Sequence, residues 1–340
     1  MSFLPNYSHI YVEGGAKDYP MAKQVLGRLP KATLVEIQDY KQVFNRPAQD
    51  FHLQKQSPKL ILAKKKDNFI YPGSPYVQNH WNPNFHYNAL SLNCSYDCSY
   101  CYLQGMYNSA NQVLFVNLED YYAQTREAIS TRGDPNRPFY LCISYDTDLL
   151  AFESIAPFSK EWIQFAANQE NLEIELRTKS ANFHSISKLE PHQSTILAWS
   201  LSPNVVVRKY EHKTPYLEAR IKSISKAISA GWRVRVCIDP ILKIPHWEEV
   251  YSNLVNTLFD TIDPNKLLDI HLGVFRMNSS YFQNIRKRRP PTDLYYRDWE
   301  RKDGSISHPE NERKELVGHL HGLLLPHLTE DRIHIWDGVG

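Results

Sequence analysis

Apolar and polar positions alternate in two different ways along the chain. The first 85 residues contain short apolar runs bounded by polar residues, which is typical of strands, and one amphipathic stretch at 19–29 that predicts a helix ending before Pro30. The strands are predicted at 9–12, 32–37 and 59–63. We therefore expect residues 1–85 to form a small N-terminal α/β domain.

From residue 86 onward, apolar strands alternate regularly with amphipathic helices. Six strands are predicted at 86–93, 138–143, 172–178, 195–201, 233–239 and 268–275. The helices are predicted at 117–131, 159–169, 214–230, 245–258 and 279–288. Strand–helix alternation implies parallel pairing with right-handed crossovers. The predicted fold class is therefore α/β, with a partial (β/α)6 TIM-like barrel over residues 86–289.

Residues 290–340 are predicted as a third part of the chain. A polar, proline-containing stretch extends to about 308, and an amphipathic helix at 310–324 and a strand at 332–336 follow. We expect this C-terminal part to pack against the open side of the barrel.

Composition and charge indicate where the protein works. The net charge of +2 is too small to indicate nucleic-acid binding by itself. No apolar run approaches the ~20 residues that a membrane span needs, and the N-terminus lacks the hydrophobic region of a signal peptide. We therefore expect a cytoplasmic protein with no membrane partner, in a reducing compartment that keeps cysteines as thiols.

Three of the five cysteines lie close together, directly after the first barrel strand. Cys94, Cys98 and Cys101 have the spacing Cys-x3-Cys-x2-Cys. An odd number of thiols cannot all pair as disulfides, so a metal or a cluster is the natural occupant. A [4Fe-4S] cluster takes four ligands, and three cysteines leave one iron open for a small molecule. The alternative is a structural zinc site completed by His86 or His80, although such sites usually gather their ligands as two separated pairs.

Polar residues follow several barrel strands, at the end where parallel barrels carry their active sites. Asp146, Thr147 and Asp148 follow the second strand, Lys179 follows the third, and Ser200 lies at the end of the fourth. Their side chains could hold an amino group, a ribose or a carboxylate. Helix capping explains the first three equally well, Lys179 could be a surface lysine, and a turn could use Ser200.

A basic segment near the end of the barrel is a candidate nucleic-acid contact. Arg286–Arg289 is followed by Tyr295, Tyr296 and Arg297. Cations suit phosphates, and aromatic rings stack on bases. The alternative is a solvated helix C-terminus, where the helix dipole favours positive charge.

The cysteine spacing, with an aromatic residue directly before the last cysteine, resembles the signature of radical S-adenosylmethionine (SAM) enzymes. The longer match Tyr100-Cys101-Tyr102-Leu103-Gln104 resembles the spore photoproduct lyase family more specifically. The resemblance implies a radical SAM carbon–carbon lyase for DNA repair with a [4Fe-4S] cluster and SAM as cofactors. It also implies DNA carrying a thymine dimer lesion, 5-thyminyl-5,6-dihydrothymine, as substrate, and a flavodoxin- or ferredoxin-type electron donor.

The resemblance also assigns roles to residues of this chain. Cys94, Cys98 and Cys101 are the cluster ligands, and the two tyrosines that assist hydrogen return correspond to Tyr100 and Tyr102. The SAM-binding residues are expected to be Tyr100, Thr147, Asp148, Lys179 and Ser200.

The chain departs from the family at two positions. The family's hydrogen-donor cysteine falls at Tyr145, and the nearest thiol is Cys142. A buried cysteine is ordinarily a small hydrophobe, which we expect of Cys237, but Cys142 lies near the strand exit and could return a hydrogen atom. In an extended strand an offset of three reverses the facing side, so Cys142 is expected to point away from the position of Tyr145. The family's basic-aromatic turn is not matched by residues 302–305.

Two other functions therefore stay open at the sequence level. One is a radical SAM paralogue that acts on another nucleotide or on a protein. The other is a zinc-stabilised nucleic-acid-binding protein, which would contain zinc and no visible chromophore.

Overall fold

Two large β-sheets form the framework of the protein. The structure is a computed structural model, which describes residues 6–73, 79 and 82–336. The strands in this part of the chain are β1 (His9–Glu13), β2 (Thr33–Ile37), β3 (Leu60–Ala63), β4 (Tyr71–Pro72), β5 (Phe85–Tyr87), β6 (Ser91–Leu92), β7 (Asp97–Cys98), β8 (Gln112–Phe115), β9 (Phe139–Cys142), β10 (Leu172–Thr178), β11 (Thr195–Ser200), β12 (Glu211–His212), β13 (Arg233–Ile241), β14 (Asp269–Val274), β15 (Arg276–Asn278), β16 (Glu300–Lys302), β17 (Ser305–Ser307) and β18 (Ile333–Trp336). The α-helices are α1 (Pro20–Arg28), α2 (Lys41–Phe44), α3 (Phe51–Gln56), α4 (Leu103–Met106), α5 (Leu118–Ser130), α6 (Leu149–Phe152), α7 (Phe158–Ala167), α8 (Asn204–Tyr210), α9 (Leu217–Ser229), α10 (Trp247–Phe259), α11 (Ser279–Arg288) and α12 (Glu310–Leu324).

The smaller sheet has five strands in the order β2-β1-β3-β8-β6. The predicted strands of the N-terminal part are confirmed as β1, β2 and β3, which pair in parallel. Two further strands of this sheet, β6 and β8, come from beyond residue 86. Buried residues of both sheets belong to one hydrophobic core. The N-terminal part is thus joined to the barrel by shared strands and by shared packing, and its separation as a domain at residue 85 stays a prediction.

The larger sheet has eight strands in the order β18-β14-β13-β11-β10-β9-β5-β4 and forms a curled half-barrel. The strands from β5 to β18 are parallel, whereas β4 is an antiparallel edge. The predicted barrel strands from the second to the sixth are confirmed as β9, β10, β11, β13 and β14. The predicted C-terminal strand is confirmed as β18, which pairs with β14 and extends the sheet.

The first predicted barrel strand, at 86–93, is wrong as a single element. The chain leaves the large sheet after β5 and enters the small sheet as β6, which pairs antiparallel with β8. Ala89 and Leu90, between the two strands, are fully packed in the core. Because burial continues through the crossing, the apolar pattern continues too and conceals the break.

The segment predicted as a polar stretch up to about 308 contains a hairpin. Strands β16 and β17 pair antiparallel, and β17 also pairs with β15. Asp303 and Gly304 connect them with φ values of 49° and 76°. Asp-Gly is favoured in two-residue hairpin turns because both positions need positive φ, so the sequence contained the signal for this hairpin.

In the described part of the chain, no helix has the length and apolar character needed to span a membrane.

Candidate active site

A cavity of about 540 Å³ opens beside the C-terminal ends of the barrel strands. The loop that carries the three clustered cysteines forms part of its wall, and the loops after β9, β10 and β11 form another part. The predicted site residues that line it are Cys94, Cys98, Tyr100, Cys101, Tyr102, Cys142, Tyr145, Thr147, Asp148, Lys179 and Ser200. The fold therefore brings together every residue that the sequence singled out for cluster, cofactor or catalysis, and their individual roles stay predictions.

Backbone and side-chain contacts fix the cysteine loop at both ends. Asn93, with φ of 69°, donates from its side-chain amide to the carbonyl oxygens of Ser109 and Asn111 at 2.7 Å. Lys55 Nζ donates to the carbonyl oxygen of Cys94 at 2.5 Å. At the other end, Cys98 pairs with Glu211 in the short β7–β12 ladder. These contacts anchor the loop to neighbouring segments of the chain.

The three thiols are free and face a shared space, which is what a cluster needs. Burial raises the pKa of Cys94 to about 12 and also raises the pKa of Cys98 and Cys101. Metal binding would therefore displace a proton from each thiol. Within the described residues, the three sulphur atoms are not gathered within 4.8 Å of one another, whereas the ligand atoms around one tetrahedral zinc lie about 3.8 Å apart. The three sulphur atoms are therefore spaced more widely than the ligands of one tetrahedral metal ion.

Of the two histidines named for the zinc alternative, His86 does not complete this site. His86 stacks on Phe139 with ring centroids 4.6 Å apart, and its Nδ1 lies 3.0 Å from the carbonyl oxygen of Asn84. It is not among the residues that line the cavity. His80 lies outside the described residues.

Glu211 is a buried centre of hydrogen bonds that the sequence analysis missed. Its carboxylate accepts from the hydroxyls of Tyr100 and Ser202 and from the guanidinium of Arg220, and Lys179 Nζ lies 3.5 Å from it. Burial alone would raise the pKa of Glu211, but the charges of Arg220 and Lys179 hold it well below its usual range. Glu211 therefore stays ionised and orients two cavity residues together.

A signal for this centre does exist in the sequence. Arg220 lies among the buried positions Leu217, Ile221 and Ile224 of helix α9. A charged residue within an apolar helix face needs a buried partner of opposite charge. The partner itself, on a different element, is not visible from helical periodicity.

Asp146 organises the tyrosines on another part of the wall. Its carboxylate accepts from the hydroxyl of Tyr102 at 3.1 Å and from that of Tyr107 at 3.1 Å. Tyr102 also donates to the carbonyl oxygen of Tyr145 at 2.9 Å. Burial raises the pKa of Asp146 to about 6, although the two tyrosine hydrogen bonds oppose this. The ring centroids of Tyr145 and Tyr87 lie 4.2 Å apart, and both residues line the cavity, which therefore has an aromatic side.

The residues predicted to bind SAM differ in whether their side chains already form hydrogen bonds within the protein. Asp148 caps helix α6 and accepts from Ala151 N at 3.0 Å, Thr178 Oγ1 at 2.7 Å and Lys179 N at 2.7 Å. Its carboxylate is therefore occupied in holding the strand-end loops, as the capping alternative expected. The Oγ1 atom of Thr147, by contrast, is buried without a hydrogen-bond partner among the described residues. An unpaired buried hydroxyl on the cavity wall fits a site that receives a polar ligand.

The prediction that Cys142 points away from the position of Tyr145 is wrong. Both residues line the cavity. The alternation of sides applies within a strand, and β9 ends at Cys142, so Tyr145 belongs to the loop that folds back over the strand end. Burial raises the pKa of Cys142 to about 12. Cys237 is fully buried and does not line the cavity, as its expected core role requires.

The basic segment divides into structural and exposed halves. Arg288 donates to the carbonyl oxygen of Tyr107 at 2.9 Å, and Arg289 forms an ion pair with Asp97 at 3.0 Å, beside the cysteine loop. Arg286 and Lys287 are exposed, and the guanidinium of Arg286 lies 5.5 Å from the ring centre of Tyr296. The first half of the run is thus available to a partner, whereas the second half anchors helix α11 to the site.

Comparison with known proteins gives one consistent family. A family model described as spore photoproduct lyase matches residues 3–308. The chain is 23% identical to the spore photoproduct lyase of Clostridium acetobutylicum over 303 residues, which cover 87% of this chain and 86% of the relative. It is 21% identical to that of Bacillus subtilis strain 168 over 299 residues, which cover 86% and 84%.

Solved structures agree with the fold. A spore photoproduct lyase complexed with dinucleoside spore photoproduct superposes with a TM-score of 0.80 and 18% identity, covering 98% of this chain and 99% of the other. A mutant spore photoproduct lyase with bound AdoMet and the same dinucleoside gives a TM-score of 0.81 and 19% identity over the same shares.

Proposed function

The chain belongs to the spore photoproduct lyase family, and from this premise we propose that it is a radical SAM lyase that reverses 5-thyminyl-5,6-dihydrothymine in DNA. The observation that carries the proposal is one cavity that combines three free cysteines, an unpaired hydroxyl and an aromatic wall. The family match spans nearly the whole chain, so the proposal applies to the protein as a unit.

The cofactor proposal rests on the residues around the cysteine loop. Cys94, Cys98 and Cys101 would hold a [4Fe-4S] cluster, which together with SAM supplies an electron and a carbon-centred radical that removes a hydrogen atom. The ammonium of Lys179, held by Glu211, suits the SAM carboxylate. The hydroxyls of Thr147 and Ser200 suit its ribose or amino group.

The substrate proposal rests on the rest of the wall. Tyr87, Tyr102 and Tyr145 present aromatic rings to the cavity, which suits thymine rings extruded from a DNA strand. The exposed cations Arg286 and Lys287 suit the flanking phosphates. This division separates contacts that recognise the lesion from contacts that position the backbone.

Hydrogen return is assigned to the groups that face the cavity with an S–H or O–H bond from which a hydrogen atom can be transferred. Tyr102, Tyr145 and Cys142 all line it, and burial raises the pKa of each, so each is protonated at neutral pH. A thiol gives up a hydrogen atom readily. Cys142 is therefore the proposed donor, assisted by the two tyrosines and by Tyr100.

The electron donor is proposed to be a flavodoxin- or ferredoxin-type protein, and the location to be the cytoplasm. All five cysteines are free, which suits a reducing compartment. Lys213 lines a second, smaller cavity on the Cys94 side of the loop and is exposed, whereas Lys55 in the same cavity is buried against the Cys94 carbonyl. An exposed cation at this position suits an acidic protein that delivers an electron to the cluster.

A paralogue with another substrate is the second candidate. The observation that favours it is the tyrosine at position 145, where the family's donor cysteine is expected. Such an enzyme would use the same cofactors on a different nucleotide or on a protein.

The cluster assignment is tested with Cys98→Ala. Under anaerobic reduction with SAM, this variant should form no 5'-deoxyadenosine, whereas Cys237→Ala, which changes a cysteine outside the cavity, should form it at the wild-type rate. Intact SAM cleavage by Cys98→Ala would overturn the cluster assignment.

A further inference from the structure

A row of four charged side chains lines the same cavity and has no part in the mechanism above. Arg177 Nε lies 3.0 Å from Glu175, Arg177 Nη1 lies 3.7 Å from Asp239, and Arg276 Nη1 lies 3.3 Å from the other oxygen of Asp239. All four residues face the cavity. We call Glu175, Arg177, Asp239 and Arg276 the charged row.

The row is buried at one end and open to the cavity at the other. The side chain of Glu175 is 1% exposed, whereas those of Asp239 and Arg177 are 15% and 25% exposed. Asp239 and Arg177 therefore reach the open space of the cavity, and the buried Glu175 holds Arg177 by their ion pair. A ligand would meet a carboxylate with a guanidinium on each side.

The position of Asp239 is specified by its neighbours. A Cβ atom on Gly273, in the adjacent strand β14, would lie 2.6 Å from the carboxyl carbon of Asp239. A glycine at this position thus leaves the space that the carboxylate occupies. Arg276 is fixed independently, since it also donates to the carbonyl oxygen of Val274 at 3.1 Å.

The charge balance of the row excludes a simple anion site. Glu175 also pairs with the buried Arg235 at 2.6 Å, and Arg235 pairs in turn with Asp269 at 2.6 Å. The three guanidiniums are thus offset by three carboxylates, and the carboxylate of Asp239 lies between Arg177 and Arg276. A phosphate placed there would approach this carboxylate and be repelled. The row therefore suits a neutral group that presents an acceptor, a donor and an acceptor side by side.

We propose that Asp239, flanked by Arg177 and Arg276, reads the imide edge of a pyrimidine ring. Thymine and 5,6-dihydrothymine both carry an N3–H between two carbonyl groups. Asp239 would accept from N3–H, and the guanidiniums would donate to the carbonyl oxygens at C2 and C4. Enzymes that act on an extruded base commonly read this edge by hydrogen bonds.

The assignment deepens the proposed function and rests on it. Cytosine has an acceptor at N3 and an amino donor beside it, so it offers the wrong pattern to Asp239. The row thus selects thymine-derived rings, and Asp239 is a specificity-determining residue.

The test compares the dinucleoside photoproduct with an analogue methylated at N3 of one ring or the other. Dissociation constants are measured by calorimetry on the anaerobically reconstituted protein without reductant, so that nothing turns over. Wild-type protein should bind the unmethylated lesion roughly tenfold to a hundredfold more tightly than one of the two analogues, because a hydrogen bond to a charged acceptor is lost. Asp239→Ala, which removes the acceptor and makes room for the methyl group, should bring this ratio to about one.

Two further variants make the outcome decisive. Asp260→Ala, at an exposed position after helix α10, should keep the wild-type ratio. Asp239→Asn keeps the side-chain volume and should partly lower the preference for the unmethylated lesion. It therefore tests the role of Asp239 even if the alanine variant does not fold. An unchanged ratio in the Asp239 variants would overturn this assignment and leave the lyase proposal intact. Failure of wild-type protein to bind any of the lesions would overturn both.

Discussion

At the level of single residues, Glu211 links the cavity residues Tyr100 and Lys179 to the buried Arg220. It is fully buried, as is its partner Arg220, and it holds the hydroxyl of Tyr100 and the ammonium of Lys179. A buried ion pair contributes little net stability compared with an apolar pair, but it imposes one geometry on the residues that bond to it. The orientation of Tyr100 and Lys179 therefore depends on this carboxylate.

Glu211→Gln should destabilise the protein strongly. The substitution keeps the shape of the side chain but leaves the Arg220 guanidinium buried without a counter-charge, which typically costs about 3–5 kcal/mol in the free energy of unfolding. Urea unfolding of the metal-free protein measures this. Glu249→Gln, an exposed position in helix α10, should change stability by less than about 0.5 kcal/mol. A loss below about 1 kcal/mol in Glu211→Gln would contradict the role of the pair.

Asp146 should make stability fall as pH rises. Burial raises its pKa from 3.8 to about 6, so between these values the folded protein binds a proton that the unfolded chain has released. This contribution is fully present below pH 3.8 and is lost as pH rises through about 6, a change of about 3 kcal/mol. Relative to Asp146→Asn, the wild-type free energy of unfolding should decrease by about 2.5 kcal/mol of this total between pH 4 and pH 7. Parallel pH curves for the two proteins would refute the assignment, and Asp260→Asn should follow the wild type.

Cys142 can be tested apart from the cluster. Cys142→Ala should still cleave SAM, because the thiol is not a proposed cluster ligand. It should yield less repaired thymine and more product in which the substrate radical has been quenched by another group. Product analysis by chromatography measures the ratio of 5'-deoxyadenosine to thymine. Cys237→Ala serves as the matched control. Loss of SAM cleavage in Cys142→Ala would show a role in forming the site, and an unchanged ratio would assign hydrogen return to a tyrosine.

At the level of secondary-structure elements, helix α4 links the cysteine loop to helix α11. It begins two residues after Cys101 and packs against helix α11. The backbones approach so closely that a Cβ atom on Gly105 would lie 2.1 Å from the carbonyl oxygen of Tyr281. Asn284 then donates to the carbonyl oxygen of Gly105 at 2.9 Å. The glycine is thus required for the contact between the two helices.

Gly105→Ala should loosen the cluster site as well as the fold. The added methyl group must push α4 away from α11, at a cost of about 1–3 kcal/mol, and the neighbouring Cys101 should shift with the helix. Iron content after reconstitution and the free energy of unfolding should both decrease. Gly322→Ala in helix α12, where a Cβ atom meets nothing within 4 Å, should instead stabilise the protein by about 0.5–1 kcal/mol. Full iron content in Gly105→Ala would contradict the coupling.

The whole molecule shows which features a sequence can predict. The cysteine spacing and the strand–helix alternation are local, so the cluster loop, the parallel barrel and the clustering of strand-end residues followed from them. Glu211 and Arg220 are only nine residues apart, but they lie on a strand and on a helix, so no single periodicity relates them. Asp239 and its two arginines were missed because they lie on three strands that are far apart in the chain. The break between β5 and β6 was missed for a related reason, since Ala89 and Leu90 pass from one packed sheet to another without becoming exposed.

The central claim concerns the assembled protein, which must couple SAM cleavage to lesion reversal without a cysteine at position 145. The most direct measurement is anaerobic reconstitution with iron and sulfide, reduction in the presence of SAM and the synthetic dinucleoside photoproduct, and simultaneous quantification of 5'-deoxyadenosine and thymidine. We predict both products. Formation of 5'-deoxyadenosine with the lesion left intact would contradict the lyase assignment and leave a radical SAM enzyme with a different substrate.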